Sequence, residues 1–102
     1  MKFILENKTG YSAAVLMKKV GYVFDRQDEI KGEMSFVREL GVARYPRLHI
    51  YLKEFGQKVE CNIHLDQNKN SYHGTTAHAG EYDSDLVQEE VIRIQGMLGS
   101  LE

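Results

Sequence analysis

The chain has 102 residues, of which 42% are hydrophobic and 27% are charged. This composition is typical of an ordinary folded domain and excludes a wholly disordered chain. The net charge of -2 at pH 7 gives no overall attraction to nucleic acid or to anionic membranes. Binding of either kind would therefore require a local cluster of basic residues.

The length predicts one α+β domain over residues 1–100, with Leu101 and Glu102 resembling a cloning scar. The single cysteine, Cys61, excludes an intrachain disulfide and a multi-cysteine zinc module. We find no apolar run long enough for a signal peptide or a membrane span. We therefore expect a cytoplasmic protein that does not associate with membranes.

The first half of the chain predicts a strand, a helix and two further strands. Residues 2–6 alternate as a short strand does, and an apolar stripe at helical spacing predicts a helix over residues 11–20, capped by Thr9 or Ser12. Residues 22–24 are β-prone, residues 25–32 form a charged run typical of a loop, and residues 33–40 alternate as a strand. Arg38 falls on the apolar side of that strand, where it would need a partner.

Arg47 to Asp66 has the pattern of a two-stranded hairpin with one face in the core. We expect Leu52 to lie opposite Val59, because this register keeps the apolar residues of both strands on one side. The other face then carries polar and aromatic side chains: His49, Tyr51, Lys53, Glu60, Asn62, His64 and Asp66.

The last part of the chain predicts a long loop followed by a helix. Residues 67–83 show no apolar period, and long loops of this kind tend to be functional or disordered. The second helix has an apolar stripe and can be capped by Ser84 or Asp85; the stripe consists of Val87, Val91, Ile94 and Leu98. The elements together predict an α+β fold: an antiparallel sheet of four to five strands, with two helices packed on one face and the other face open.

All four histidines lie between positions 49 and 78, close to acidic residues. In the predicted register His49 and His64 are diagonal neighbours with Cα atoms roughly 7 Å apart. With Asp66, and with His78 from the loop, they could hold zinc, manganese or iron, either in a metal-binding protein or in a metal-dependent hydrolase. The alternative is that these histidines are solvated, or that His64 or His78 hydrogen-bonds a nearby acid and fixes the loop.

A second cluster is basic and aromatic, and consists of Arg44, Tyr45, Arg47 and Lys53. Such residues could grip phosphates and stack a base, which predicts an RNA or nucleic-acid partner. Acidic residues are interspersed in the same region, so a solvated surface of mixed charge explains the pattern equally well.

Four strings occur together in this chain: Ser-Phe-Val-Arg (35–38), Tyr-Pro-Arg-Leu-His-Ile-Tyr-Leu-Lys (45–53), His-Leu-Asp-Gln (64–67) and His-Ala-Gly-Glu-Tyr-Asp (78–83). In this combination the chain resembles a group of small uncharacterised bacterial proteins with no assigned activity. The resemblance implies a bacterial or phage setting and transfers no mechanism. Our overall expectation is a small binding or accessory domain that meets a protein or nucleic-acid partner through the open sheet face and residues 67–83, whether or not it is also an enzyme.

Overall fold

The computed structural model describes residues 1–67, the backbone of 80–81, and residues 84–102. The elements in chain order are β1 (Lys2–Glu6), α1 (Ala13–Lys19), β2 (Val23–Asp28), β3 (Glu33–Glu39), β4 (Arg47–Phe55), β5 (Lys58–Asp66), β6 (Gly80–Glu81) and α2 (Asp85–Leu101). The five longer strands form one antiparallel sheet in the order β1-β5-β4-β3-β2, and the two-residue β6 pairs with β5. The predicted α+β class is therefore confirmed, while the packing of both helices on one face of the sheet stays a prediction.

Both helices begin at a serine that caps the first turn. The Ser12 hydroxyl accepts a hydrogen bond from the Val15 amide at 3.2 Å, and the Ser84 hydroxyl accepts one from the Val87 amide at 3.4 Å. Each bond satisfies an amide that has no partner within its helix. After α1 the chain reverses at Gly21, where φ is +102°, a conformation that favours glycine.

The central hairpin has the predicted faces but a different register. Leu52 lies opposite Cys61 rather than Val59, because the two-residue turn falls at Gly56 and Gln57. Gly56 has φ +61°, the sign that a type II′ turn requires at this position, and such turns match the twist of paired strands. The correction is a shift of two residues, which leaves every side chain on its predicted face.

Strand β2 extends to Asp28, through part of the charged run that we expected to be a loop. Phe24 pairs with Phe36 and Arg26 pairs with Ser35, so Asp25 is an extra residue in a β-bulge. Pairing with β3 overrides the low strand propensity of these charged residues. The Asp25 side chain lies on the polar face of the sheet, opposite to that of Phe24, where it meets Ser35 and His49.

The buried core contains residues from both helices and from four strands. Cys61 is fully buried within it, and burial raises the pKa of its thiol to about 12. A thiol with so high a pKa is inert at neutral pH, which agrees with the apolar position predicted for it. Leu101, which we expected to belong to a cloning scar, is the last residue of α2 and packs against this core.

A buried carboxylate, Glu90, ties α2 to the sheet. It accepts hydrogen bonds from the Tyr22 hydroxyl and from Arg93, all at 2.7 Å, and Arg38 lies 3.5 Å away. Arg93 also donates to the Val20 carbonyl at 2.7 Å, which joins the helix to the end of α1. Arg38 thus has the charged partner that its inward position requires.

Candidate metal centre

Strands β4 and β5 bring three of the four predicted metal ligands together. His49 and His64 lie directly opposite each other in the sheet, closer than the diagonal arrangement that we expected. Asp66 follows two residues after His64 and therefore projects from the same face. One donor atom from each of His49, His64 and Asp66 can be chosen so that all three lie within 4.8 Å of one another.

The Asp66 carboxylate is the centre of this cluster. His64 Nε2 lies 2.7 Å and His49 Nδ1 lies 3.2 Å from its oxygens, both at hydrogen-bond distance, while Arg47 Nε lies 3.4 Å away. Burial alone would raise the pKa of Asp66, but the hydrogen bonds from the two histidines outweigh it and hold the pKa well below its ordinary value. Asp66 is therefore an anion, able to accept hydrogen bonds or to bind a cation.

The cluster is more buried than an open sheet face allows. His49 and Asp66 are each only 7% exposed, so the expectation of an open face is wrong at these two positions. A buried ionic group is costly unless it is paired, and each of these side chains has a charged or hydrogen-bonding neighbour. Among the described residues, however, the Nε2 atom of His49 has no hydrogen-bond partner.

Two further residues, Asp25 and Ser35, belong to the site and were not predicted from the sequence. Asp25 places Oδ2 at 3.4 Å from Nε2 of His49, and the Ser35 hydroxyl donates to the same Asp25 oxygen at 3.0 Å. Asp25 lies on this face because β2 continues past Phe24 and pairs with β3, whereas the charged run from residue 25 predicted a loop. The Ser35 side chain is polar at a position on β3 that is 1% exposed, and this burial becomes visible only once the strands are paired.

Tyr51 packs against both imidazole rings. Its ring centroid lies 4.5 Å from that of His49 and 5.7 Å from that of His64, with nearly parallel planes in both cases. Burial and the nearby Asp66 charge raise the pKa of the Tyr51 hydroxyl, which stays protonated at neutral pH. The tyrosine restricts the rotation of both rings and so helps to keep their nitrogens near Asp66.

The residues predicted to bind nucleic acid do not all present free charges. Arg47 contacts Asp66 and also stacks over the Tyr45 ring, with 4.7 Å from its guanidinium carbon to the ring centroid. The Tyr45 ring face is therefore covered by Arg47. Arg44 is exposed and Lys53 lies opposite Glu60. This geometry adds nothing to the nucleic-acid interpretation, which stays a prediction.

His78 and most of the predicted loop at 67–83 lie outside the described residues. Within that span the structure describes Gln67 and the backbone of Gly80–Glu81, which pairs with Leu65 and Asp66 as strand β6. Part of the span predicted to be without regular structure is therefore a strand, at the edge of the cluster. Whether His78 is a ligand stays a prediction.

The donor set of the cluster suits a divalent transition metal. Zinc binds imidazole nitrogen and carboxylate oxygen at about 2.0–2.2 Å, which puts two ligands of a tetrahedral site about 3.3 Å apart. The contacts of Asp66 to His64 and His49, at 2.7 and 3.2 Å, are close to that spacing. An ion could thus replace the shared protons if the rings shift slightly.

No family model, curated protein or solved structure matches this chain. Among the described residues, no helix is both long and apolar enough to cross a membrane. The class defined by fold and site is therefore an α+β domain that carries a buried His/His/Asp cluster on one face of its sheet.

Proposed function

We propose that this protein is a small domain that binds one divalent transition metal ion, zinc above all, through His49, His64 and Asp66. The observation that carries the proposal is the convergence of the three donor groups within 4.8 Å on one buried face. Two imidazoles and an anionic carboxylate form a common ligand set for zinc.

The ligand types favour a transition metal over calcium or magnesium. Calcium and magnesium prefer six or more oxygen ligands, whereas imidazole suits zinc, copper, nickel and iron. Within this group zinc is the ion for which three protein ligands and one further group complete a tetrahedral site.

Burial favours a structural ion over a hydrolytic centre. The side chains of His49, His64 and Asp66 are 8%, 12% and 10% exposed, which leaves little of the cluster accessible to a substrate. A hydrolytic zinc site keeps an open position for water and substrate. We therefore favour a metal-binding protein over a metal-dependent hydrolase. The ion would stabilise the polar face through which a binding or accessory domain meets its partner.

The resemblance to small bacterial proteins supports a bacterial setting for this function. A lone buried cysteine, kept as a thiol, is consistent with the reducing cytoplasm that we expected.

A thermal melt tests the proposal directly. The protein is stripped with a chelator, dialysed, and melted with zinc, manganese or magnesium. Zinc at a hundred times its dissociation constant should raise the free energy of unfolding by about 2.7 kcal/mol, since only the folded chain assembles the site. For a domain of this size that is about 10–20 °C in the melting temperature.

Matched variants connect the shift to the cluster. Asp66→Asn should abolish the zinc-dependent shift, whereas Glu60→Gln, which removes a carboxylate from the exposed position two residues before Asn62 on the same strand, should leave it unchanged. His78→Ala tests the fourth predicted ligand. No shift in the wild type, or an equal shift in the Asp66→Asn variant, would exclude this site.

A further inference from the structure

We infer that Asp25 is the outer carboxylate of the metal centre, and that it holds His49 with Nε2 protonated so that Nδ1 is the atom that binds the ion. This inference rests on the proposed function and names a positioning residue that does not itself touch the metal. It follows from how the two nitrogens of one buried ring are surrounded.

The two sides of the His49 ring differ. Nδ1 points to Asp66 at 3.2 Å, and the nitrogen of His64 lies on the same carboxylate, so the ligand groups converge on the Nδ1 side. Nε2 points to Asp25 at 3.4 Å on the other side. In the part of the chain that the structure describes, the same Asp25 oxygen also accepts from Ser35 and lies 3.5 Å from Arg26. An ion shared with His64 and Asp66 therefore has to use Nδ1.

Histidines that bind metals usually donate their second ring N–H to a carboxylate or carbonyl, which fixes the tautomer and the orientation of the ring. Asp25 is the described carboxylate that faces Nε2. At 3.4 Å this contact does not qualify as a hydrogen bond in the structure. We expect it to shorten when the ring moves onto the ion, as outer contacts of a site often tighten when the site is filled.

The pairing of β2 with β3 and the contact with Ser35 explain why Asp25 is in this position. Alternation along β2 places Asp25 on the opposite face from Phe24 and Phe36, which is the face that carries the histidines. The Ser35 hydroxyl donates to the same oxygen that faces His49 and so holds that oxygen toward the ring. Serine at this buried position thus has a role that packing alone does not give it.

The test compares Asp25→Asn with the wild type by zinc titration and by nitrogen NMR of ¹⁵N-histidine-labelled protein. In zinc-loaded wild type, the His49 signals should show a metal-bound Nδ1 and a protonated Nε2. Asp25→Asn should weaken zinc binding about 10- to 100-fold, the usual loss when an outer partner is removed, and should lose this single tautomer. Ser35→Ala should weaken binding less, and Glu29→Gln, an exposed acid in the following turn, should not change it.

The outcomes separate this inference from the metal proposal. If the wild type binds no zinc at the cluster, the proposed function fails and the inference with it. If the wild type binds zinc but Asp25→Asn binds as tightly with the same His49 tautomer, the inference alone is overturned. Should Asp25→Asn fail to fold, as judged by urea unfolding, Ser35→Ala decides, and unchanged affinity and tautomer in that variant would count against the inference.

Discussion

Replacing Glu90 with glutamine tests the buried charge cluster that joins α2 to the sheet. The change keeps the size of the side chain but removes the negative charge that faces Arg93, Arg38 and the Tyr22 hydroxyl. Breaking a buried ion pair by removing one partner costs about 3–5 kcal/mol. The arginine side chains are 31% and 34% exposed and can be partly hydrated, so we expect a smaller loss than this, about 2–3 kcal/mol.

The loss should be visible in both heat and urea. About 2–3 kcal/mol corresponds to a fall of about 10–20 °C in the melting temperature of a domain of this length. It is less than the total stability of a typical domain, about 5–15 kcal/mol, so the variant should still fold. The matched control is Glu89→Gln, which removes the same charge from the neighbouring, exposed position of the same helix.

The pH dependence gives an independent check. Burial alone would raise the pKa of Glu90, but hydrogen bonds from Arg93 and Tyr22 outweigh it and lower the pKa below its ordinary value. A carboxyl with a lowered folded pKa stabilises the protein above its unfolded pKa, about 4.3, and this stability is lost as the pH falls through the folded value. The gap in unfolding free energy between wild type and Glu90→Gln should therefore be full near pH 7 and shrink below about pH 4.3. A gap no larger than that of Glu89→Gln, or one that is constant with pH, would refute this reasoning.

Three further predictions concern the tyrosine, the hairpin turn and the arginine beside the metal site. Tyr22→Phe should lower the free energy of unfolding, measured in urea, by about 1.5–3 kcal/mol, because the Tyr22 hydroxyl donates to a charged acceptor. Since burial raises the pKa of Tyr22, the stabilisation by this hydroxyl is present below about pH 10 and should decline above it. Gly56→Ala should destabilise the protein by about 1–2 kcal/mol, because φ is positive at Gly56. The control Gly96→Ala, at an exposed position of α2, should stabilise it by about 0.5–1 kcal/mol. Equal effects of the two changes would contradict the turn assignment. Arg47→Gln should lower the stability of the metal-free protein but tighten zinc binding about tenfold in a calorimetric titration, because a cation beside the ion has been removed; weaker zinc binding would argue against an ion next to Asp66.

The residues of the site were predictable from side-chain alternation, but their distances were not. Period-two alternation alone predicted that His49, His64 and Asp66 lie on one face. A shift of the strand register by two residues does not change that face. The distance between the histidines depends on the position of the turn, and alternation alone does not place the turn at Gly56 and Gln57. For this reason His49 and His64, which we predicted to be diagonal neighbours, lie directly opposite each other.

The position of Asp25 and the burial of the cluster could not be predicted from the sequence, for a different reason. Asp25 stands in a charged run whose local propensity favours a loop, and it reaches the site only because β2 continues through this run in its pairing with β3. The burial of His49 and Asp66 likewise depends on which groups pack around them in the folded chain. Local pattern predicts the face of a side chain, and tertiary contacts decide how much water reaches it.

The most direct test of the metal centre is the number of zinc ions bound per chain, measured by calorimetric titration of the chelator-stripped protein. The proposal predicts one site in the wild type and none in a variant that combines His49→Ala with His64→Ala, provided that the variant still unfolds cooperatively in urea. Absence of zinc binding in the wild type, or one site retained in the double variant, would contradict it.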